Sequence, residues 1–462
     1  MARGGIYDQV GGGFHRYATD VSWLVPHFEK MLYDNALLIT AYLEGYQAAG
    51  REDFAAVARE ILRYVERDMT SAQGVFYSAT DADSFNPAGE REEGWFFTWT
   101  PAEIEQILGA DRARLVNAYF GVTPGGNLEG RNILHAAKTT AEAARELNVS
   151  EERVEATVRE AKETLYTARN RRPPPLRDEK ILTSWNALMI SAHAQAAFVL
   201  DDERYLRRAE RAATFLLENL VEDGRLLRSY LNGQARQQGY LDDHAFLIAA
   251  LLDLYETGGN LRWLQEAIRL QQVLDEQYWD REHGAYFATS EGHEQLIARE
   301  KPGYDGAEPS GNSVASMNLV RLHELTTNDE YRQRAEQCFR AFAPVFEKSP
   351  ASLSEMLLAL DFHLDTPKQI IVVAPSSRQQ ANALLAPLRR TFLPNRVLAA
   401  VAQGAQLDAH AALVPLLEEK RALRGQPTAY VCERRVCDLP TGDPAVFAKQ
   451  IGKVEPLPPR AR

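Results

Sequence analysis

A two-helix unit repeats along most of the chain, each copy pairing a nearly all-apolar stretch with an amphipathic one. One copy runs NALLITAYLEGYQAAGREDFAAVAREILRYVERDM from Asn35 and is followed by GVFYS. A second runs NALMISAHAQAAFVLDDERYLRRAERAATFLLENL from Asn186, followed by GRLLRS. A third begins HAFLIAALLDLYETGG at His244 and leads to GAYFA, and a fourth begins NSVASMNLVRLHELTTND at Asn312. The first helix of each unit is apolar nearly all round and is expected to be buried on most sides. The second keeps one Arg- and Glu-rich face and is expected outside.

Inner and outer members repeated in this way predict a mainly α fold, an (α/α)6 barrel of the six-hairpin kind over residues 1–364, with an open solenoid as the structural alternative. Helical stretches near 153–170 and 351–362 bring the count to roughly eleven of twelve barrel helices, and the missing first helix is expected before residue 1. Between about residues 71 and 150 the repeat is interrupted by SATDADSFNPAGEREEGWFFTWT, a short helix and GVTPGGNLEGRNIL, whose Gly, Pro and Asn content marks loops. After residue 365, KQIIVVAP, RVLAAV and TAYVC are short β-type runs separated by helical segments. Residues 365–462 therefore read as a small α/β domain ending in a loose tail, KVEPLPPRAR.

The net charge of −12 argues against a nucleic-acid or acidic-membrane partner, which would need a basic face. No apolar run reaches the ~18 residues of a membrane span, and MARGGIYDQV lacks a signal pattern, so a cytoplasmic location is expected. Three cysteines make no disulfide framework. Cys338 reads as a small buried hydrophobe, and Cys432 and Cys437 as structural residues that bind no metal, since a zinc site would need two more ligands. No cofactor motif is present: phosphate loop, dinucleotide fingerprint, nucleophile elbow and zinc helix are all missing.

Antiparallel hairpins in a ring direct the N-termini of all inner helices to one rim. Those positions hold His27 and Glu29; Trp185 and Asn186; Asp242, Asp243 and His244; Ser310 and Asn312. Intervening loops add Asp8, His15, Arg16, Asp20, Trp23, Asp81, Asp83, Tyr240, Arg299, Asp305 and Glu308. Asp, Asn and Ser in such places are first of all helix caps. Capping does not call for Trp185, Tyr240, His244 and Arg299 nearby, nor for doubled acids. Aromatic, acidic and amide groups together suit a small carbohydrate, with His15, Arg16, Trp23, Trp185, Asn186, Tyr240, Arg299 and Asn312 as binding residues. Two chemistries stay open. A hydrolase would pair Asp243 or Asp242 with Asp81, Asp83 or Asp305. An epimerase or isomerase would use His244 or His27 as base. A barrel that binds a glycan or protein without turnover is the third reading.

The runs GGFHRYATD and PHFEKMLYDNA, then DADS, GNLEG, RNIL, KILTSWNALM, GYLDDHAFL, DGAEPSGNS and AYVCERRVC, span nearly the whole chain. In these the chain resembles the thioredoxin-domain-containing proteins related to spermatogenesis-associated protein 20. The resemblance implies the same six-hairpin barrel. It also implies a thioredoxin-like module with its own CxxC ahead of the glycine-rich opening, where this chain starts. A thioredoxin-like partner or a homo-oligomer is accordingly expected to complete the first hairpin.

Overall fold

A computed structural model describes residues 1–293 and 298–453. The proline-rich tail read as loose lies, from residue 454, outside them. The fold is mainly α and built of helical hairpins, with small sheets. It divides into two compact units: Met1–Ile39 with Ala56–Lys180, and Thr40–Ala55 with the chain from Ile181 onward. Helices α1 (Leu32–Ala49) and α2 (Glu52–Asp68) each contribute residues to both.

In the first unit, α3 (Pro101–Leu108) and α4 (Ala110–Phe120) meet at Gly109, and α5 (Thr140–Leu147) and α6 (Glu151–Arg169) follow. They enclose a core of Trp99, Ile104, Val116, Phe120, Val154 and Leu165. The stretch expected to hold one short helix between loops therefore holds three. Its start signals are Thr100-Pro-Ala-Glu103 and Thr139-Thr-Ala-Glu142, which form reciprocal capping boxes. Lys30–Met31, Ala79–Thr80 and Arg177–Asp178 pair as a short three-stranded sheet.

The second unit holds three hairpins as the repeat predicts: α7 (Thr183–Val199) with α8 (Glu203–Asn219), α9 (Leu241–Gly258) with α10 (Leu261–Gln277), and α11 (Gly311–Thr326) with α12 (Asp329–Lys348). Inner helix α9 packs between α7 and α11, and α13 (Ser354–Leu364) packs on α11. Asp202, Asn260 and Asn328 cap the outer helices, so each hairpin turns within a few residues. The aromatic piece after α10 closes as a bridge between Trp279 and Tyr286, held by Asn312 of α11. Its Oδ1 accepts from Tyr286 N at 2.8 Å and its Nδ2 donates to Tyr286 O and Pro302 O, both at 2.9 Å.

Beyond residue 365, strands fall where the apolar runs are. The sheet order is Arg396–Ala402, Lys368–Ala374, Thr428–Glu433, Val436–Cys437, with the first pair parallel and the rest antiparallel. Its residues Ile370, Val372, Leu398 and Val431 share a core with Leu385 of α14 (Asn382–Arg389) and, beyond α15 (Ala405–Ala411), Phe447 of α16 (Pro444–Ile451). Cys432 and Cys437 are joined as a disulfide across the last hairpin. The sequence reading left them unpaired. It missed that Arg434 and Arg435, at φ 51° and 68°, form a two-residue turn that sets the two cysteines opposite each other. Cys338 is a buried free thiol whose pKa burial pushes up to about 12, which makes it inert. No helix among the described residues is long and apolar enough to cross a membrane.

Candidate functional site

The start of α9 organises the polar groups of the second unit. Asp243 is fully buried. One of its oxygens accepts from Ser184 N in the first turn of α7 at 3.0 Å, and the other from Tyr240 N at 2.9 Å, with Arg228 Nη1 at 3.4 Å. Burial pushes its carboxyl up to about 6, against the opposing pull of Arg228. Asp243 thus ties two inner helices together and positions their starts. Asp242 instead lines a cavity of about 310 Å³ with Arg228, Gln237, Tyr240 and Leu241. Gly311, the first residue of α11, makes room for it: a Cβ there would come within 2.4 Å of Asp242 Oδ1.

Glu308 stands on the loop before α11. Burial, and then the charge of Asp242, push its carboxyl up to about 7, while the Trp185 side chain hydrogen-bonds it and Arg228 lowers it. A carboxyl pushed up to about 7 therefore stands close to a second, Asp242, which burial raises and Arg228 opposes. The Arg228 guanidinium lies 4.8 Å from the Tyr240 ring centroid. The second unit thus brings together Trp185, Tyr240, Asp242, Asp243 and Glu308. Sequence reasoning placed Glu308 in a rim loop but gave it no role. Its neighbours in DGAEPSGNS carried the turn signal, and nothing local told of the burial that raises it.

Other candidates are taken up by the fold. Asp305 accepts from Ser310 N, Ser313 Oγ and Glu355 N at 2.7–2.8 Å and so knits α11 to α13. Arg299 donates to Thr289 O and Gln277 O and lies over the Phe287 ring. Asn186 Nδ2 donates to Leu182 O at 3.0 Å. His244 is buried, its Nδ1 3.1 Å from Tyr240 O and its ring against Tyr278. Burial holds its pKa down to about 4, so it is neutral at pH 7.

In the first unit, His15 is buried, with Nδ1 2.9 Å from Phe28 O, and burial lowers its pKa to about 3. Arg16 pairs with Glu29 at 2.9 Å. His27 is clasped by Glu93 at 2.7 Å and Glu29 at 3.1 Å. Trp23 sits exposed in a turn at φ 60°. Asp81 and Asp83 both pair with Arg91, at 2.7 and 3.5 Å. Asp8, Lys30 and Arg169 form a buried ion cluster that sequence reasoning did not assemble.

The pKa shifts fix the sign of a stability measurement. Glu308 and Glu355 both stand near 7, so the folded second unit keeps protons that the unfolded chain has released. Stability contributed this way falls as pH rises from 4.5 to 7. His193 and His244, held near 4, act oppositely, but only below their ordinary 6.5. Between pH 6.5 and 8 the carboxyls therefore dominate. The second unit is expected to lose about 1 kcal/mol across that interval, and Glu355→Gln to flatten the dependence. Urea midpoints at the two pH values measure it; a midpoint that rises with pH contradicts the assignment.

No protein-family profile matches the chain. It is 37% identical over 480 aligned residues to human spermatogenesis-associated protein 20, covering 97% of this chain, and 36% identical to the rat protein over the same share. A Caenorhabditis elegans protein is 34% identical over 95% of the chain. Among solved structures, a cellobiose 2-epimerase from Spirochaeta thermophila aligns at 11% identity and TM-score 0.40, covering 74% of this chain and 80% of that one. A D-mannose isomerase aligns at 14% and 0.37, covering 72% and 81%. Alignments this loose assign no residue roles. The chain is homologous to spermatogenesis-associated protein 20 along nearly all of its own length, and spans about 61% of that relative.

Proposed function

We propose that the second unit is a carbohydrate-directed hydrolase in which Glu308 is the general acid and Asp242 its ionised counterpart. The observation that carries this reading is a pair of neighbouring carboxyls beside a cavity, Glu308 pushed up to about 7 by burial and by the charge of Asp242, and Asp242 facing Arg228. Glycoside cleavage needs one carboxyl that gives a proton and one that is already charged. Glu308 would protonate the glycosidic oxygen as its bond to the anomeric carbon breaks, so the leaving group departs as an alcohol. Asp242 would face the developing positive charge or the attacking water. Arg228 opposes the rise that burial gives Asp242 and so favours its charged form, and Trp185 and Tyr240 offer flat faces for a sugar ring. A 2-epimerase is the weaker chemistry, because His244 is buried and turned onto backbone.

Incubating the full chain with mono- and disaccharides, followed by NMR, tests the proposal. New reducing ends support it, and C2 inversion without hydrolysis sinks it. Sugar binding with no turnover would favour the third reading, a binding barrel that works beside a thioredoxin-like partner. The greater length of the relatives leaves room for such a module.

A further inference from the structure

The first unit encloses a cavity of about 710 Å³ that the proposed hydrolysis does not use. Its walls are largely aromatic and prolyl: Tyr64, Phe96, Phe97, Tyr166 and the run Pro173–Pro175. At its inner side stand Lys30 and Arg169. Arg169 grips Asp8 with two bonds, Nη1 to Oδ1 at 2.8 Å and Nη2 to Oδ2 at 2.9 Å. Lys30 Nζ takes the same Oδ2 at 2.8 Å and Gly12 O at 2.8 Å. All three side chains are at least 96% buried, from exposures of 3%, 4% and 3%. Gly11 leaves room for this grip: a Cβ there would stand 2.1 Å from Arg169 Nη2 and 2.7 Å from Asp8 Oδ2, so a larger residue would displace the cluster.

The charge count is uneven. Two buried cations share one carboxylate, and His15, the next titratable neighbour, is neutral. The other cations around the cavity have their own acids: Arg67 with Asp68, Arg177 with Glu179, and Arg91 with both Asp81 and Asp83. The Arg91 group carries the opposite excess but is half-exposed, where water and salt screen it. An excess positive charge in a dry interior is costly unless something answers it. A second observation points the same way. Arg169 Nε is buried and has no hydrogen-bond partner among the described residues, although its guanidinium is ringed by Phe96, Phe97 and Tyr166 at 5.0–5.7 Å.

We propose that this cavity binds a small organic anion, a carboxylate or sulfonate carried on a flat apolar body, with the anionic group answering the Lys30–Arg169 charge and the body lying among the aromatic and prolyl walls. The site is separate in its residues from the carboxylates of the second unit and stands or falls independently of them.

The test uses the full chain and two fluorescent probes of like shape, 8-anilinonaphthalene-1-sulfonate and the uncharged N-phenyl-1-naphthylamine. The anion is expected to bind at one molecule per chain and about tenfold tighter than the neutral probe at low salt, with benzoate competing. Leu176, at the cavity and 69% exposed, tolerates substitution. Leu176→Glu adds a repelling charge there, and should weaken the anion several-fold while leaving the neutral probe unchanged. Arg169→Lys should weaken the anion too, and circular dichroism shows whether that variant folds. If it does not fold, Leu176→Glu decides. Equal affinity for both probes, binding of several molecules indifferent to Leu176→Glu, or no binding at all would overturn the proposal.

Discussion

Asp8→Asn is expected to destabilise the first unit by about 3–5 kcal/mol, the cost typical of removing one partner from a buried ion cluster. The substitution keeps the shape of the side chain and its backbone contacts to Val10 and Gly11 N–H within reach. It removes the carboxylate that Lys30 and Arg169 share, and leaves two cations in a dry interior. Lys30 can shed its proton, because burial has already brought its pKa down to about 8; Arg169 cannot. The double variant Asp8→Asn/Lys30→Met should therefore recover part of the loss. Urea unfolding followed by tryptophan fluorescence reports it, with Trp23, Trp95 and Trp99 in the first unit and Trp185, Trp263 and Trp279 in the second. The first unit should melt early in Asp8→Asn while the second keeps its midpoint. An unchanged first-unit midpoint would show that the cluster contributes nothing to the fold.

What could be read from the sequence follows the range of the forces involved. Periodicity along the chain is local, so inner and outer helices were legible: α7 and α9 are buried nearly all round and α8 shows a polar face. The β-type runs after residue 365 were legible for the same reason. The helices between 101 and 147 were hidden because Gly, Pro and Asn outweighed two capping boxes. The Cys432–Cys437 pairing was hidden because it depends on two arginines in left-handed conformation, which arginine rarely adopts. Residue types in the candidate site were visible, but their roles were not. Asp305, Asn312 and Arg299 look like ligand-binding groups in sequence, and in the structure they satisfy backbone donors and acceptors. Asp8, Lys30 and Arg169 lie as much as 161 positions apart and meet only in the folded unit.

Glu308→Gln is expected to lower kcat/KM for a cleaved glycoside by about 10²–10⁴-fold, the range general acid catalysis supplies. The pH profile separates this role from a structural one. With the Glu308 carboxyl near 7, wild-type kcat/KM should fall about tenfold per pH unit above neutrality as the acid loses its proton. Glu308→Gln should lose that alkaline limb altogether. Asp242→Asn removes the charge that helps hold the proton on Glu308. Its limb should move to lower pH, and its overall rate should fall as well. Trp185→Phe removes a hydrogen bond to the charged form, so its limb should move the other way, with little loss of rate below neutrality. These opposite displacements come from one cluster of named contacts, and a variant that merely loosens the fold would not reproduce them. If Asp242→Asn leaves the limb in place while Glu308→Gln still cleaves the substrate, the two carboxyls are not an acid and its counterpart, and the hydrolase assignment fails.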